Sequence, residues 1–229
     1  MELRQIVAFH GPNRWAGVPT LEVLVELGSL ADWRSDTAPV VVERLLSWLP
    51  ALEAAPASLH LGRAVEPSEP FRTLAETGLS LASLLERIVC VLEAAAGTPP
   101  RFSHSSSINT DGTCRLAFEF EEEELGRACL ETAKQCLLAA LNDTPFDSAT
   151  EIRKLVDLAD DVRLGPSTRA ILSAAQSRGV PYRRLTSGSL VQLGEGARQH
   201  RIWTAETDQT SSIGEDIAQD KELTKKLLR

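Results

Sequence analysis

Two periods of apolar positions alternate along this chain. Over residues 2–9 (ELRQIVAF) and 20–27 (TLEVLVEL) the period is close to two. In the second run Leu21, Val23 and Val25 fall on one side and Glu22, Leu24 and Glu26 on the other, as in a half-buried strand. The segment between them, HGPNRWAGVP, is a turn-rich connection built on Gly11-Pro12-Asn13. The period then lengthens. Residues 39–49 (PVVVERLLSWL) set Val42, Leu45, Leu46 and Leu49 at helical spacing, and Pro50 ends the run. The Pro- and Ala-rich stretch 54–71 predicts an irregular connection. Residues 79–96 predict a second helix, apolar nearly all round through Leu81, Leu84, Leu85, Ile88, Val89 and Leu92, and therefore central.

Period two returns in RFSHSSSINT and TCRLAFEFE, joined by Asp111-Gly112, a hairpin-turn dipeptide. The second strand runs into a third helix over 121–141. Its acidic first turn suits the positive end of the helix dipole, and its stripe is Leu125, Ala128, Cys129, Thr132, Cys136 and Ala139. From Ser148 the texture changes. SATEIRKLVDLADD reads as a charged linker helix, with Ser148 as cap and Glu151 completing a capping box. Ser167 or Thr168 caps a further helix to about Ser177, which Gly179 ends, and Pro181 leads into a short strand. The last stretch reads strand, glycine turn, strand, helix, helix. Its final helical pattern continues through Leu227 and Leu228 to the last residue, so the chain reads as cut. The pattern predicts an α/β protein: a two-layer α/β sandwich over 1–155, then a smaller α/β subdomain over 156–229.

Composition narrows the function classes. Of 229 residues, 43% are hydrophobic and 24% charged, an ordinary globular balance with a real core. The net charge of −8 argues against a dedicated nucleic-acid binder. No apolar run approaches the roughly 20 residues of a membrane span, and the N-terminus lacks a secretory pattern. Cys90, Cys114, Cys129 and Cys136 sit in apolar surroundings without C-x-x-C spacing, which predicts buried free thiols and a reducing, cytoplasmic setting. The candidate chemistry is sparse. Leu193-Gly-Glu-Gly196 is a weak phosphate-loop pattern, and Gly165-Pro-Ser-Thr168 opens a helix whose free N–H groups suit a carboxylate or phosphate. The run Glu119–Glu124 reads as a solvated helix start. His10, His60, His104 and His200 show no metal-ligand spacing.

Taken together, several motifs resemble cyanophycin synthetase: His10-Gly-Pro-Asn-Arg-Trp15, Leu164-Gly-Pro-Ser-Thr168, Gly179-Val-Pro181, Gln192-Leu-Gly-Glu-Gly196, Gln199-His-Arg-Ile202, Thr207-Asp-Gln-Thr-Ser211 and Asp220-Lys-Glu-Leu-Thr-Lys-Lys-Leu-Leu228. They follow the family pattern in order and spacing, densely from Val162 onward, more loosely over 113–143 and patchily over 21–100. The resemblance implies the N-terminal domain of an ATP-dependent amide ligase followed by the opening (pre-grasp) subdomain of an ATP-grasp domain. Such enzymes use ATP and Mg²⁺ to build a polymer with an aspartate backbone and arginine side chains. It also implies a cytoplasmic homo-oligomer, no membrane or nucleic-acid partner, and a fragment that is inactive by itself and binds no cofactor tightly.

For residues present here, the resemblance implies that Ser167 and Thr168 hold the polymer's terminal carboxylate and that Lys221 contacts ATP phosphate; Asp208, Thr210 and Ser211 are further polar candidates. No catalytic residue is assigned. Many family members carry His-x-x-Glu-His on a helix of the N-terminal domain, a metallohydrolase-like pattern. Here Ser83 and Arg87 replace both histidines and Val91 a later acidic residue, leaving Glu86, with Arg87 expected to neutralise it; no metal site is expected. The alternative reading is a stand-alone, non-catalytic polymer-binding module whose 119–124 carboxylates face the polymer's arginines.

Overall fold

The computed structural model describes residues 1–55, 70–108, 112–204 and 206–228, which form two compact units, 1–163 and 164–229. In the first unit two antiparallel strand pairs flank a helical stretch. Strands β1 (Glu2–Phe9) and β2 (Thr20–Glu26) are followed by α1 (Pro39–Trp48), α2 (Phe71–Glu76) and α3 (Leu81–Ala95), then by β3 (Ser103–Ser107) and β4 (Thr113–Glu119). The sheet order is β1-β2-β4-β3, antiparallel throughout, so β2 and β4 are central. Helices α4 (Glu123–Asn142) and α5 (Ser148–Val162) complete the unit. Residues 109–111 and 56–69 are not described, so the Asp111 half of the turn signal, His60 and most of the expected irregular stretch lie outside the described residues. Gly112 has φ +80°, and an added Cβ there would meet the Ala31 methyl at 2.6 Å, so this end of the hairpin requires glycine.

Leu21, Val23 and Val25 of β2 join Cys114, Leu116 and Phe118 of β4 on the inner face of the sheet, as the alternation predicts. Helix α3 packs there with twelve of its fifteen residues buried, which accounts for a helix apolar nearly all round. Ser80 caps it by accepting from the Ser83 N–H at 3.2 Å. Helix α4 buries a broader stripe than its sequence suggests, adding Leu130, Ala133, Leu137 and Ala140, because it touches α1 and α5 as well as α3. All four cysteines are buried free thiols.

Two expectations are corrected. The charged helix α5 is no linker: Leu155 and Ala159 are buried against the core, and the compact unit extends to Arg163, eight residues beyond the 155/156 boundary read from the sequence. Its cap is Asp147 rather than Ser148, because the Asp147 carboxylate takes both the Thr150 N–H (3.0 Å) and the Thr150 hydroxyl (2.7 Å).

The second unit is smaller. Helix α6 (Pro166–Ser177) precedes a four-stranded antiparallel meander of β5 (Tyr182–Arg184), β6 (Leu190–Leu193), β7 (His200–Trp203) and β8 (Glu206–Thr207), followed by α7 (Ser212–Gln219) and α8 (Lys221–Leu227). Its core is Leu164, Leu172, Val191 and Ile202 with Tyr182 and Leu193 against them. Among the described residues no helix is long and apolar enough to cross a membrane. The molecule is α/β, with two antiparallel sheets.

Candidate functional site

Helix α6 starts at Pro166, with Gly165 as N-cap and no side-chain cap, which corrects the expectation that Ser167 or Thr168 caps it. Proline supplies no N–H and a preset φ, so the turn starts without a hydroxyl acceptor. Ser167 is exposed at this turn, whereas Thr168 is buried, with 3% exposure. Lys221 is the exposed first residue of α8, beside Asp220, whose carboxylate caps that helix through the N–H groups of Glu222 and Leu223 at 2.9 and 3.0 Å.

The remaining polar candidates of this unit hold local structure. Asp208 sits 3.2 Å from His200 Nδ1, the Thr210 hydroxyl accepts from the Thr207 N–H at 2.9 Å, and Ser211 caps α7. The Leu193-Gly-Glu-Gly196 pattern is the β6–β7 turn; Gly194 has φ +71°, and a Cβ there would meet the Arg198 carbonyl at 3.0 Å.

In the first unit the segment around Glu86 lies at the heart of the domain. Glu86, Cys90 and Glu93 follow one stripe of α3, four and three residues apart. Burial pushes the Glu86 carboxyl up, and hydrogen bonds from Ser105 and Ser103 on β3 hold it back. Arg87 is also buried; its Nη1 donates to the Ala55 carbonyl at 3.1 Å and the group lies 5.6 Å from the Phe71 ring centre. The charges of Arg87 and Glu86 act on each other as expected, and the charge of His104 also lowers Glu86, while each side chain keeps its own hydrogen-bond partners.

Glu93 is fully buried, and burial pushes its carboxyl up to about 7 against a 2.6 Å hydrogen bond from the Thr98 hydroxyl. Burial likewise raises the Cys90 and Cys136 thiols to about 12, so neither offers a ready thiolate. Among the described residues no three His, Cys, Asp or Glu side chains converge on a metal-sized point.

The acidic run is less free than it reads. Glu119 is clasped by Arg101, and Glu123 meets Arg127 at 2.7 Å and His10 at 3.1 Å. A further group carries no sequence signal beyond its place in the His10–Trp15 motif. Glu22, 6% exposed on the outer face of β2, takes hydrogen bonds from Arg14 Nε (2.9 Å), Arg14 Nη2 and Trp15 Nε1 (2.6 Å). Burial pushes its carboxyl up, but the bonds from Arg14 and Trp15 and the charges of Arg14 and Arg115 outweigh it, so the net shift is downward. Strand alternation placed Glu22 opposite the core and could not show that a loop folds back to cover it.

The profile of the cyanophycin synthase-like N-terminal domain matches residues 22–142, more than half of the chain. Curated cyanophycin synthetases align over its whole length: 30% identical in Trichormus variabilis, 29% in Geminocystis herdmanii and 27% in Crocosphaera subtropica. The chain spans about a quarter (25–26%) of the length of these relatives. It belongs to the cyanophycin synthase-like N-terminal domain family.

Proposed function

We propose, with that membership as premise, that the chain serves as the N-terminal portion of an ATP-dependent amide ligase extending a polymer of aspartate and arginine. The observation that carries this reading is the reach of the similarity: it runs through both compact units and does not stop at the first. In the reaction, ATP phosphorylates the polymer's terminal carboxylate, and the aspartate amine attacks the acyl phosphate and expels phosphate. Here the second unit acts as the opening subdomain of the nucleotide-binding domain. Ser167 and the free N–H groups of the first turn of α6 take the terminal carboxylate. Thr168, buried behind Ser167, keeps that turn in place, and the exposed ammonium of Lys221 meets ATP phosphate as a point charge.

The protein acts in the cytoplasm, with no nucleic acid or membrane as partner, and as a homo-oligomer. The test of the carboxylate assignment compares binding of polymer segments ending in a free carboxylate and in an amide. The free-acid form is expected to bind more tightly, and Ser167→Ala to narrow the difference. Equal binding of the two forms by the unaltered chain would overturn the assignment.

A further inference from the structure

The first unit ends at Arg163 and the second begins at Leu164. Each of these residues is held by its own unit. Leu164 is buried in the small core of the second. Arg163 closes α5, where its N–H donates to the Ala159 carbonyl at 3.0 Å, and its guanidinium reaches across to α3. There Nη2 donates to the Ala96 carbonyl, at a helix end that supplies no N–H for its own last acceptors. Nη1 lies 3.6 Å from Asp160. A cation at this end also opposes the dipole of α3.

The seat is shaped for this side chain. Gly97, at φ +86°, leaves the space that Nη2 fills; an added Cβ would stand 2.8 Å from it. One residue further on, the Thr98 hydroxyl donates to Glu93 Oε2 at 2.6 Å. Arg163 from α5 and Glu93 from α3 therefore both engage the turn 96–98. Among the described residues, Glu93 Oε1 and Arg163 Nε are buried without a hydrogen-bond partner, an acceptor and a donor left over beside one turn.

Charge links the two. Arg163 pulls down the Glu93 carboxyl, which burial holds near 7. Glu119 at the end of β4 and Glu121 before α4 push it up, and the thiols of Cys129 on α4 and Cys90 on α3 itself border it. Arg163 is the cation of this set. When it leaves its seat, the carboxyl loses that attraction and keeps its proton to higher pH. The seated form therefore holds fewer protons above pH 7 and gains on the released form as pH rises.

We propose that Arg163 is a latch that holds the chain's exit from the first unit to the end of α3, and that ionised Glu93 tightens it. Seated, the latch leaves no slack, because residue 163 belongs to one unit and residue 164 to the other. Released, it lets the last turn of α5 fray and lengthens the connection. The inference rests on contacts within the first unit and is independent of the ligase reading.

It is tested by residue-resolved amide exchange of the 229-residue chain at pH 6 and pH 9, with each rate corrected for its intrinsic pH dependence. Protection of the Arg163 amide is expected to rise about tenfold with pH, the effect of one contact strengthened by a full charge. The Leu130 amide, in the middle of α4, follows opening of the whole unit and is expected to show no such rise. Glu93→Gln keeps an acceptor for Thr98 and removes the charge, so the rise at position 163 is expected to vanish. Arg163→Gln is expected to lower protection there at both pH values and to leave no rise; it keeps the test decisive if the Glu93 variant does not fold. Constant or falling protection at Arg163, an equal rise at Leu130, or a rise that survives in either folded variant would overturn the proposal.

Discussion

Glu93 shows how much one side chain can set the pH response of this domain. It is fully buried on α3 with its carboxyl near 7; Glu121 and Glu119 push it further up, and Arg163 and the Thr98 hydroxyl pull it down. The folded state thus keeps a proton that the unfolded chain releases in the ordinary carboxylate range. Stability is full below about pH 4.5, falls as pH rises toward 7 and levels off above it. Glu93→Gln keeps an acceptor for Thr98 and removes the titration. Urea unfolding at pH 5 and pH 8 is expected to show the variant gaining on the unaltered protein, by up to about 3 kcal/mol; parallel profiles would contradict this.

Gly126 is the second such position. A Cβ there would meet Leu21 Cδ1 at 2.7 Å and Phe120 Cβ at 3.1 Å, so α4 lies close against β2. Despite alanine's better helix propensity, Gly126→Ala is expected to cost about 1–3 kcal/mol of stability in the same measurement. Neither role was legible in the sequence. Glu93 reads as a polar break in an apolar helix and Gly126 as a weak spot in another, and only tertiary packing gives them their meaning.

At the scale of elements, alternation and helical spacing placed the main strands and helices of the first unit, since each buries one face or, for α3, nearly all of itself. What they missed depends on contacts distant in sequence. Helix α5 looked like a linker because its exposed charges outnumber the two residues that it buries. The end of α4 was equally silent. There Arg44 of α1 donates to the Ala140 carbonyl at 2.8 Å and pairs with Asp143, which sits in the left-handed region at φ 58°. A cation at this C-terminus satisfies an orphan carbonyl and opposes the helix dipole. Arg44→Ala is therefore expected to lower stability by about 2 kcal/mol and to speed amide exchange in the last turn of α4. An unchanged last turn would show that water replaces the guanidinium without loss.

The two units differ in how much core they own. The first gathers its sheet and helices α1, α3, α4 and α5 around one cluster, whereas the second has four buried apolar residues and leaves Trp203, Ile213, Leu227 and Leu228 more than 60% exposed. Helices as short as α7 and α8 are marginal in water without packing. In the 229-residue chain, amides of 212–227 are expected to exchange faster than those of 123–142; equal protection would contradict this assignment of stability. The family was legible because its motifs fall in order along the chain, but the polar groups on the first sheet were not, since strands far apart in sequence bring them together.

The central claim, that this chain engages an aspartate–arginine polymer yet forms only part of a ligase site, is tested most directly by sedimenting it with the insoluble polymer in the presence of ATP, Mg²⁺ and labelled aspartate. The account predicts protein in the pellet and no label joined to the polymer. Label incorporated by the pure chain, or protein left wholly in the supernatant, would contradict it.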